Sequence, residues 1–302
     1  MEKTNIVQKA EKLLDESNYV TSVYHGCFDI AAKREKILLV KILQNIDAML
    51  KWQAKNLKII SENLDASPIL VGEQTRVEKL HNGVVYERYG VPAVNFETFR
   101  RLVEEDIMPT IYSDRGGMFV RIDSGMLREF RNRRGLTQKE LAEMVGINKK
   151  AIYEHEKEEL RMVMEIAQKI EKILQKKLTK EIDVLQHAQQ FEKNEPKDRL
   201  EKDVGSKLKG IGFKVNYVSA APFDIMAREK ALIISDVESN KSKIEKRAPA
   251  LRGFSAVTDK PILVITDKPK HFDSDIPVIG KDELKEIGSS RQLLKIAKRV
   301  KR

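Results

Sequence analysis

The sequence predicts a multidomain protein, α/β plus all-α, in which two copies of an α/β domain flank a central helix-turn-helix bundle. Three observations predict it. The two ends of the chain share a repeat, each copy orders its strands around one long helix, and the segment between them carries turn and cap residues at helical spacing.

The repeat comes first, because a missed repeat misassigns the whole chain. Phe28-Asp29-Ile30 is followed by Arg34-Glu35-Lys36 and then Leu38-Leu39-Val40. Phe223-Asp224-Ile225 is followed by Arg228-Glu229-Lys230 and then Leu232-Ile233-Ile234, one residue shorter. Further on, Ser67-Pro68-Ile69-Leu70-Val71 answers Lys260-Pro261-Ile262-Leu263-Val264, and Val91-Pro92-Ala93-Val94 answers Ile276-Pro277-Val278-Ile279.

Within the first copy, Ile6, Val7, Ala10, Leu13 and Leu14 share one side of a helix over Lys3 to Leu14. Tyr19 to His25 alternates as a strand does, with Tyr19, Thr21 and Val23 on one face. Phe28 to Ala32 and Lys36 to Ile42 are two more strands around a polar turn, and the second is a continuous apolar run suited to a buried central position. Ile46, Met49, Leu50, Leu57, Ile60 and Leu64 fall on one face of the next helix. Pro68 opens the following strand, which a long crossover makes parallel to its neighbour. In the second copy Pro249 falls inside the crossover helix, which is expected to break or kink there.

Between the copies, Ile111 to Ile122 reads as a hairpin with Gly116-Gly117 at its tip. That pair lacks the Gly-Lys-Ser/Thr ending of a phosphate loop. Ser124 to Ile182 reads as helical throughout, and the polar, proline-containing Asn194-Glu195-Pro196-Lys197 marks a boundary. The expected domains are therefore 1–110 (α/β), 111–123 (hairpin connector), 124–182 (helix-turn-helix), 183–197 (linker) and 198–302 (second α/β).

The helical segment carries the most information. Leu127, Phe130 and Arg131 lie on a leading helix that stops at Arg133-Arg134-Gly135. Thr137 with Glu140 spells a capping box for a helix over Gln138 to Val145, whose Leu141, Ala142 and Val145 face inward. Gly146 turns the chain, Ile147 plugs the core, and Asn148 caps a helix over Lys149 to Glu156 with Ile152 inward. Glu158-Glu159-Leu160 then runs on into Met162 to Leu174 with little sign of a break.

The segment Leu136 to Ile147 resembles the lambda-repressor and Cro (Xre) class of DNA-binding domains, over about fifty residues. The resemblance implies that Gln138 anchors a phosphate or base edge, that the outer face of Lys149 to Tyr153 reads bases, and that Glu156 braces the fold. The candidate DNA-binding residues are Thr137, Gln138, Asn148, Lys149, Lys150, Ala151, Tyr153 and Glu154.

The flanking copies resemble the restriction-endonuclease-like, PD-(D/E)XK superfamily, including archaeal Holliday-junction resolvases. In that family an Asp on the second strand and a Glu-x-Lys on the third hold magnesium and activate water. Asp29 and Asp224 match the Asp, but the third strands read Leu39-Val40-Lys41 and Ile233-Ile234-Ser235. Both lack the carboxylate and the second also lacks the lysine, so both copies are expected to be degenerate and no catalytic residue is assigned. The alternative is a nuclease using Asp29 and Lys41 with Glu35 or Asp47 as the missing carboxylate. A third reading is a nucleoid-associated protein that binds without regard to sequence. The whole chain also resembles a family of archaeal helix-turn-helix transcriptional regulators, which implies DNA binding and regulation.

Composition agrees with a polyanionic partner. Across 302 residues the formal net charge is +10, with 34% charged and 41% hydrophobic residues. The lone Cys27 rules out an internal disulfide and reads as a small buried hydrophobe. The five histidines, His25, His81, His155, His187 and His271, have no metal-ligand spacing, so no metal or cofactor is expected. Trp52 reads as packing, and the basic tail Lys295 to Arg302 as a solvated end. No apolar run approaches membrane-span length, and Met1 to Leu14 has no leader-like apolar core. The expectation is a cytoplasmic homodimer on double-stranded DNA, with no membrane association and no small-molecule ligand evident.

Overall fold

The computed structural model describes residues 3–186, 193–269 and 275–298. In chain order the elements are α1 (Lys3–Glu16), β1 (Val20–Val23), β2 (Ile30–Lys33), β3 (Ile37–Ile42), α2 (Lys51–Leu64), β4 (Ser67–Gly72), β5 (Val84–Arg88), β6 (Val91–Asn95) and α3 (Phe96–Glu104). The middle comprises β7 (Ile111–Asp114), β8 (Gly117–Arg121), α4 (Ser124–Arg133), α5 (Gln138–Val145), α6 (Lys149–Lys157), β9 (Arg161–Val163) and α7 (Met164–Leu174). The remainder is α8 (Arg199–Gly210), β10 (Lys214–Tyr217), β11 (Ile225–Arg228), β12 (Leu232–Val237), α9 (Lys241–Thr258), β13 (Ile262–Thr266), β14 (Val278–Gly280), α10 (Lys281–Glu286) and α11 (Ser290–Ala297). None of the described helices is long and apolar enough to cross a membrane.

The chain forms two compact units, one of residues 1–72, 88–91 and 185–302, the other of residues 73–87 and 92–184. The first unit holds two lobes whose strands pair in the same order and sense. In the amino-terminal lobe β1, β2 and β3 are antiparallel, and β4 returns parallel to β3 after α2. In the carboxy-terminal lobe β10, β11 and β12 are antiparallel, β13 returns parallel to β12 after α9, and β14 adds a further parallel strand. The crossover helices explain the parallel pairs, since a parallel return needs a connection of a dozen or more residues.

The lobes pack on each other through those helices. α9 lies on β1 and β2, and α2 approaches β11. Phe254 of α9 sits between Phe28 and Phe223, with ring centroids at 5.5 and 4.8 Å. Lys33 pairs with Asp259 at the end of α9, and Arg228 donates to the carbonyl of Asn63 near the end of α2. The backbones also meet, with the N–H of Cys27 donating to the carbonyl of Ala220 at 2.7 Å. A Cβ on the neighbouring Gly26 would lie 2.0 Å from that carbonyl oxygen, so only glycine permits this approach.

Three local expectations are corrected. The helix expected from Ile46 is a short 3-10 turn, Ile46–Ala48, followed by α2 from Lys51. Leu50 is extended between them and exposed, with its N–H donating to Gln53 Oε1, while Ile46 and Met49 stay buried. α9 runs through Pro249 without a break. The proline ring faces solvent, where water can satisfy the carbonyl that loses its donor, while Ile244, Ala248, Leu251 and Phe254 hold the opposite face in the core.

The third correction concerns the second unit. Ser124 to Ile182 is not helical throughout, because Glu158 is extended and β9 pairs antiparallel with β8 before α7 begins. The hairpin β7–β8 is no mere connector. Val120, Ile122 and Met162 share one core with Leu127, Leu141, Val145, Ile152 and Ile170. β5 pairs parallel with β7, so the sheet joins residues across the boundary expected at 110.

Candidate nucleic-acid interface

The helix-turn-helix is built from short-range signals. Asp123 caps α4, and Gly135 after it adopts φ +67°. Thr137 Oγ accepts from the N–H of Glu140 at 3.2 Å, and Glu140 returns a carboxylate oxygen to the N–H of Thr137 at 2.7 Å, closing the expected capping box on α5. Gly146 ends α5 in the left-handed region at φ +81°, which L side chains avoid. Asn148 accepts from the N–H of Ala151 at 2.7 Å and starts α6.

Packing then fixes α5 against α6. Leu141, Ala142, Val145 and Ile152 are buried, and Ile147 packs against them half-buried. Glu156 is buried as well. Its carboxylate takes Arg131 Nε at 2.5 Å, Arg131 Nη2 at 3.0 Å and Gln138 Nε2 at 2.8 Å, while Arg128 Nη2 donates to its carbonyl at 2.9 Å. Burial pushes the Glu156 carboxyl up, but the hydrogen bonds from Arg131 and Gln138 outweigh it and hold the group below the usual glutamate range. Burial lowers His155 on the same helix, and its Nδ1 has no hydrogen-bond partner.

The candidate residues divide by exposure. Lys149, Lys150, Tyr153 and Glu154 are exposed on α6, with Lys150 and Glu154 3.7 Å apart as an i,i+4 pair. Ala151 is half-buried, and Thr137 and Asn148 are exposed caps. Gln138 is half-buried, and its amide nitrogen is bound to Glu156, so it joins α5 to α6 within the fold. Arg131 and His155 escaped sequence reasoning as site-shaping residues. The available signal was Glu156 itself, four residues after inward Ile152, because a buried carboxylate requires a cation.

The two lobes of the first unit hold the residues that resemble a nuclease centre. Asp29 is fully buried, accepts from the N–H of Ile42 at 2.7 Å and lies 3.2 Å from Lys41 Nζ. Lys41 Nζ also donates to the Gly26 carbonyl at 2.5 Å. Leu39 is buried on β3, Glu35 is exposed at the far end of the β2–β3 hairpin, and Asp47 pairs with Arg88 at 2.6 Å. Burial pushes the Cys27 thiol up to about 12, which suits the packing role and not a redox one.

In the carboxy-terminal lobe the strand register corrects the sequence alignment. Ile30 pairs with Val40 on β3 and Ile225 with Ser235 on β12, so the residue matching Lys41 is Asp236 and the triplet is Ile234-Ser235-Asp236. This lobe does carry a third-strand carboxylate. It lies one position beyond the aligned triplet, in the place of the lysine. Asp236 and Asp224 share the guanidinium of Arg247, and Lys197 also bonds Asp224. Burial raises Asp236 to about 8, while for Asp224 the opposing charges of Arg247 and Lys197 outweigh burial and lower it. A magnesium ion does not fit either centre, since side-chain cations already neutralise the carboxylates. Among the described residues no three His, Cys, Asp or Glu side chains converge as metal ligands; His187 and His271 lie outside those residues.

Comparisons with known proteins agree with this layout. Residues 3–109 match the family model of a PD-(D/E)XK superfamily domain, and residues 127–180 match that of a helix-turn-helix. A protein of Methanocaldococcus jannaschii is 33% identical over 98% of this chain and 97% of its own length. One of Pyrococcus furiosus is 33% identical over 100% and 99%, and one of Archaeoglobus fulgidus 34% over 97% and 94%. Each bears the name "Putative HTH-type transcriptional regulatory protein". No solved structure matches the chain. With a third of its residues shared over nearly its whole length, the chain belongs to this family of archaeal HTH-type transcriptional regulatory proteins.

Proposed function

We propose that the protein is a cytoplasmic, sequence-specific transcriptional regulator that reads double-stranded DNA with α6 and does not cleave it. One observation carries the reading. The Arg131–Glu156–Gln138 network locks α4, α5 and α6 together and leaves Lys149, Lys150, Tyr153 and Glu154 exposed on one helix. A recognition helix needs that combination of rigid support and a polar outer face. Lys150 supplies the backbone term near its amino-terminal end, and Lys149, Tyr153 and Glu154 the base-reading one. Thr137 and Asn148 position the two helix starts, and Ala151 allows close approach.

The non-enzymatic part of the reading rests on the lobes. Asp29 is buried against Lys41, and the acidic pair Asp224–Asp236 is held internally by Arg247. The homodimer rests on the half-site logic of such helix pairs, in which protein symmetry matches operator symmetry.

Selection of bound sites from a random duplex library, with the full chain at physiological salt, tests the proposal. A palindrome with half-sites about one helical turn apart is expected. Bound DNA without a common motif would favour the nucleoid-associated reading. Magnesium-dependent cutting that disappears in Asp29→Ala would establish the nuclease.

A further inference from the structure

The carboxy-terminal lobe holds a buried ionic cluster that DNA recognition by α6 does not use. Arg247, on α9, donates Nη1 to Asp236 Oδ1 at 2.6 Å and to Asp224 Oδ2 at 3.1 Å, and Nη2 to Asp224 Oδ1 at 3.3 Å. Lys197 Nζ reaches Asp224 Oδ1 at 2.6 Å and lies 3.4 Å from Glu201 Oε1, and its backbone N–H donates to Glu201 Oε2 at 2.5 Å. Asp224, Asp236 and Glu201 are all buried. Burial raises Asp236 on β12 and Glu201 on α8, while Arg247 and Lys197 hold Asp224, just before β11, ionised, so Asp224 is the buried charge that would be stranded without them.

The same guanidinium also holds backbone. Arg247 Nη2 donates to the carbonyl of Ala221 at 2.8 Å, in the loop that leads to Asp224. That loop is the landing site of the other lobe. Ser219 N–H donates to Asn56 Oδ1 of α2 at 2.8 Å, and Ala220, held at φ +52°, accepts the N–H of Cys27 at 2.7 Å. A strained, non-glycine αL residue persists only where its surroundings determine it.

We propose that Arg247 and Lys197 hold the buried Asp224–Asp236 pair without any metal, and that this internal ion pairing holds loop 219–223 in the form on which the amino-terminal lobe docks. The site is then a structural joint between the lobes. It is independent of metal. Asp236 stands where the amino-terminal lobe has Lys41, so each lobe reaches charge balance by a different route: a lysine on the strand itself in one, an arginine from the crossover helix in the other.

The single cysteine of the chain makes the joint measurable, because Cys27 is fully buried at the contact. The test follows Cys27 modification by a thiol reagent in the full chain, with Mn²⁺ binding read by electron paramagnetic resonance. The unmodified sequence should bind no Mn²⁺ at this cluster and protect Cys27; stoichiometric binding there, lost in Asp224→Asn, overturns the proposal. In Arg247→Met, Cys27 should react roughly tenfold faster or more through local opening. A folded Arg247→Met chain with unchanged Cys27 protection also overturns it. If Arg247→Met does not fold, adding Asp224→Asn removes the carboxylate charge that Arg247 held and should restore folding; a double variant that stays unfolded counts against the proposal, while recovery supports it.

Discussion

Arg131 on α4 grips Glu156 on α6 with two guanidinium nitrogens, Nε at 2.5 Å and Nη2 at 3.0 Å, across the core of the helix-turn-helix. Both side chains are nearly excluded from solvent, at 10% and 1% exposure, so the pair is not screened as a surface ion pair is. Removing one partner strands the other charge. Glu156→Ala should therefore cost about 3–5 kcal/mol, read by chemical denaturation of the full chain. Arg131→Met combined with Glu156→Leu should cost less than the sum of the single changes, since the second change removes the stranded charge. Strictly additive losses would mean that the pair does not act as a unit.

Acid should loosen the same bundle in two separate windows. His155 is lowered by burial, so the unfolded chain takes up its proton first as pH falls. Its contribution to stability is complete above the ordinary histidine value near 6.5 and is lost as pH drops from there toward the lowered folded value. Glu156 is also lowered, so its contribution is present above the ordinary glutamate range and is lost only below it. His155→Leu should remove the first window and leave the second. Thermal melts of both chains between pH 7 and pH 2 would show it, and an unchanged upper window would assign the sensitivity to another group.

What the sequence discloses depends on range. Thr137 with Glu140, Gly146 and Asn148 are legible because each residue fixes its own backbone angle or a bond three residues away. The buried face of α5 is legible for the same reason, since helical spacing alone places Leu141, Ala142 and Val145 together. The Arg131–Glu156 pair spans 25 residues, and nothing local in the chain announces it. Strand register is equally silent. Matching Arg34-Glu35-Lys36 to Arg228-Glu229-Lys230 implies a one-residue deletion that the register does not contain, since Lys33 pairs with Ile37 and Arg228 with Leu232 across turns of equal length; that false gap shifted the aligned triplet by one residue and Asp236 out of view. One residue of slip exchanges the two faces of a strand, so a site read from strands fails at that precision while a site read from caps does not.

Pro249 offers a test of tertiary packing against local propensity. It sits on the solvent face of a continuous α9, lacks the N–H that would complete a helical bond, and is opposed by four buried residues on the far face. Packing overrides the local penalty without removing it. Pro249→Ala should stabilise the first unit by about 1–3 kcal/mol, less than the full helix-propensity difference because the unfolded chain also becomes freer. A shift in the denaturation midpoint at unchanged slope would show this. A loss of stability would mean that the proline shapes α9 where it lies on β1 and β2.

The last prediction separates reading from holding. Lys149 and Tyr153 are exposed on α6, whereas Lys298 lies at the end of α11 in the other unit. A side chain that meets a base edge contributes to the difference between specific and random DNA; one that meets a phosphate contributes equally to both. Tyr153→Ala should cut that preference by about 1–3 kcal/mol, and Lys149→Ala should do the same if its ammonium reaches a base. Lys298→Ala should leave the preference intact and at most weaken binding uniformly, with a shallower dependence on salt. Competition titrations of the selected duplex against random DNA at two salt concentrations distinguish the cases. If all three variants lose specific and random binding in equal proportion, α6 is not the reading element and the exposed face of Lys149 to Glu154 is a phosphate clamp.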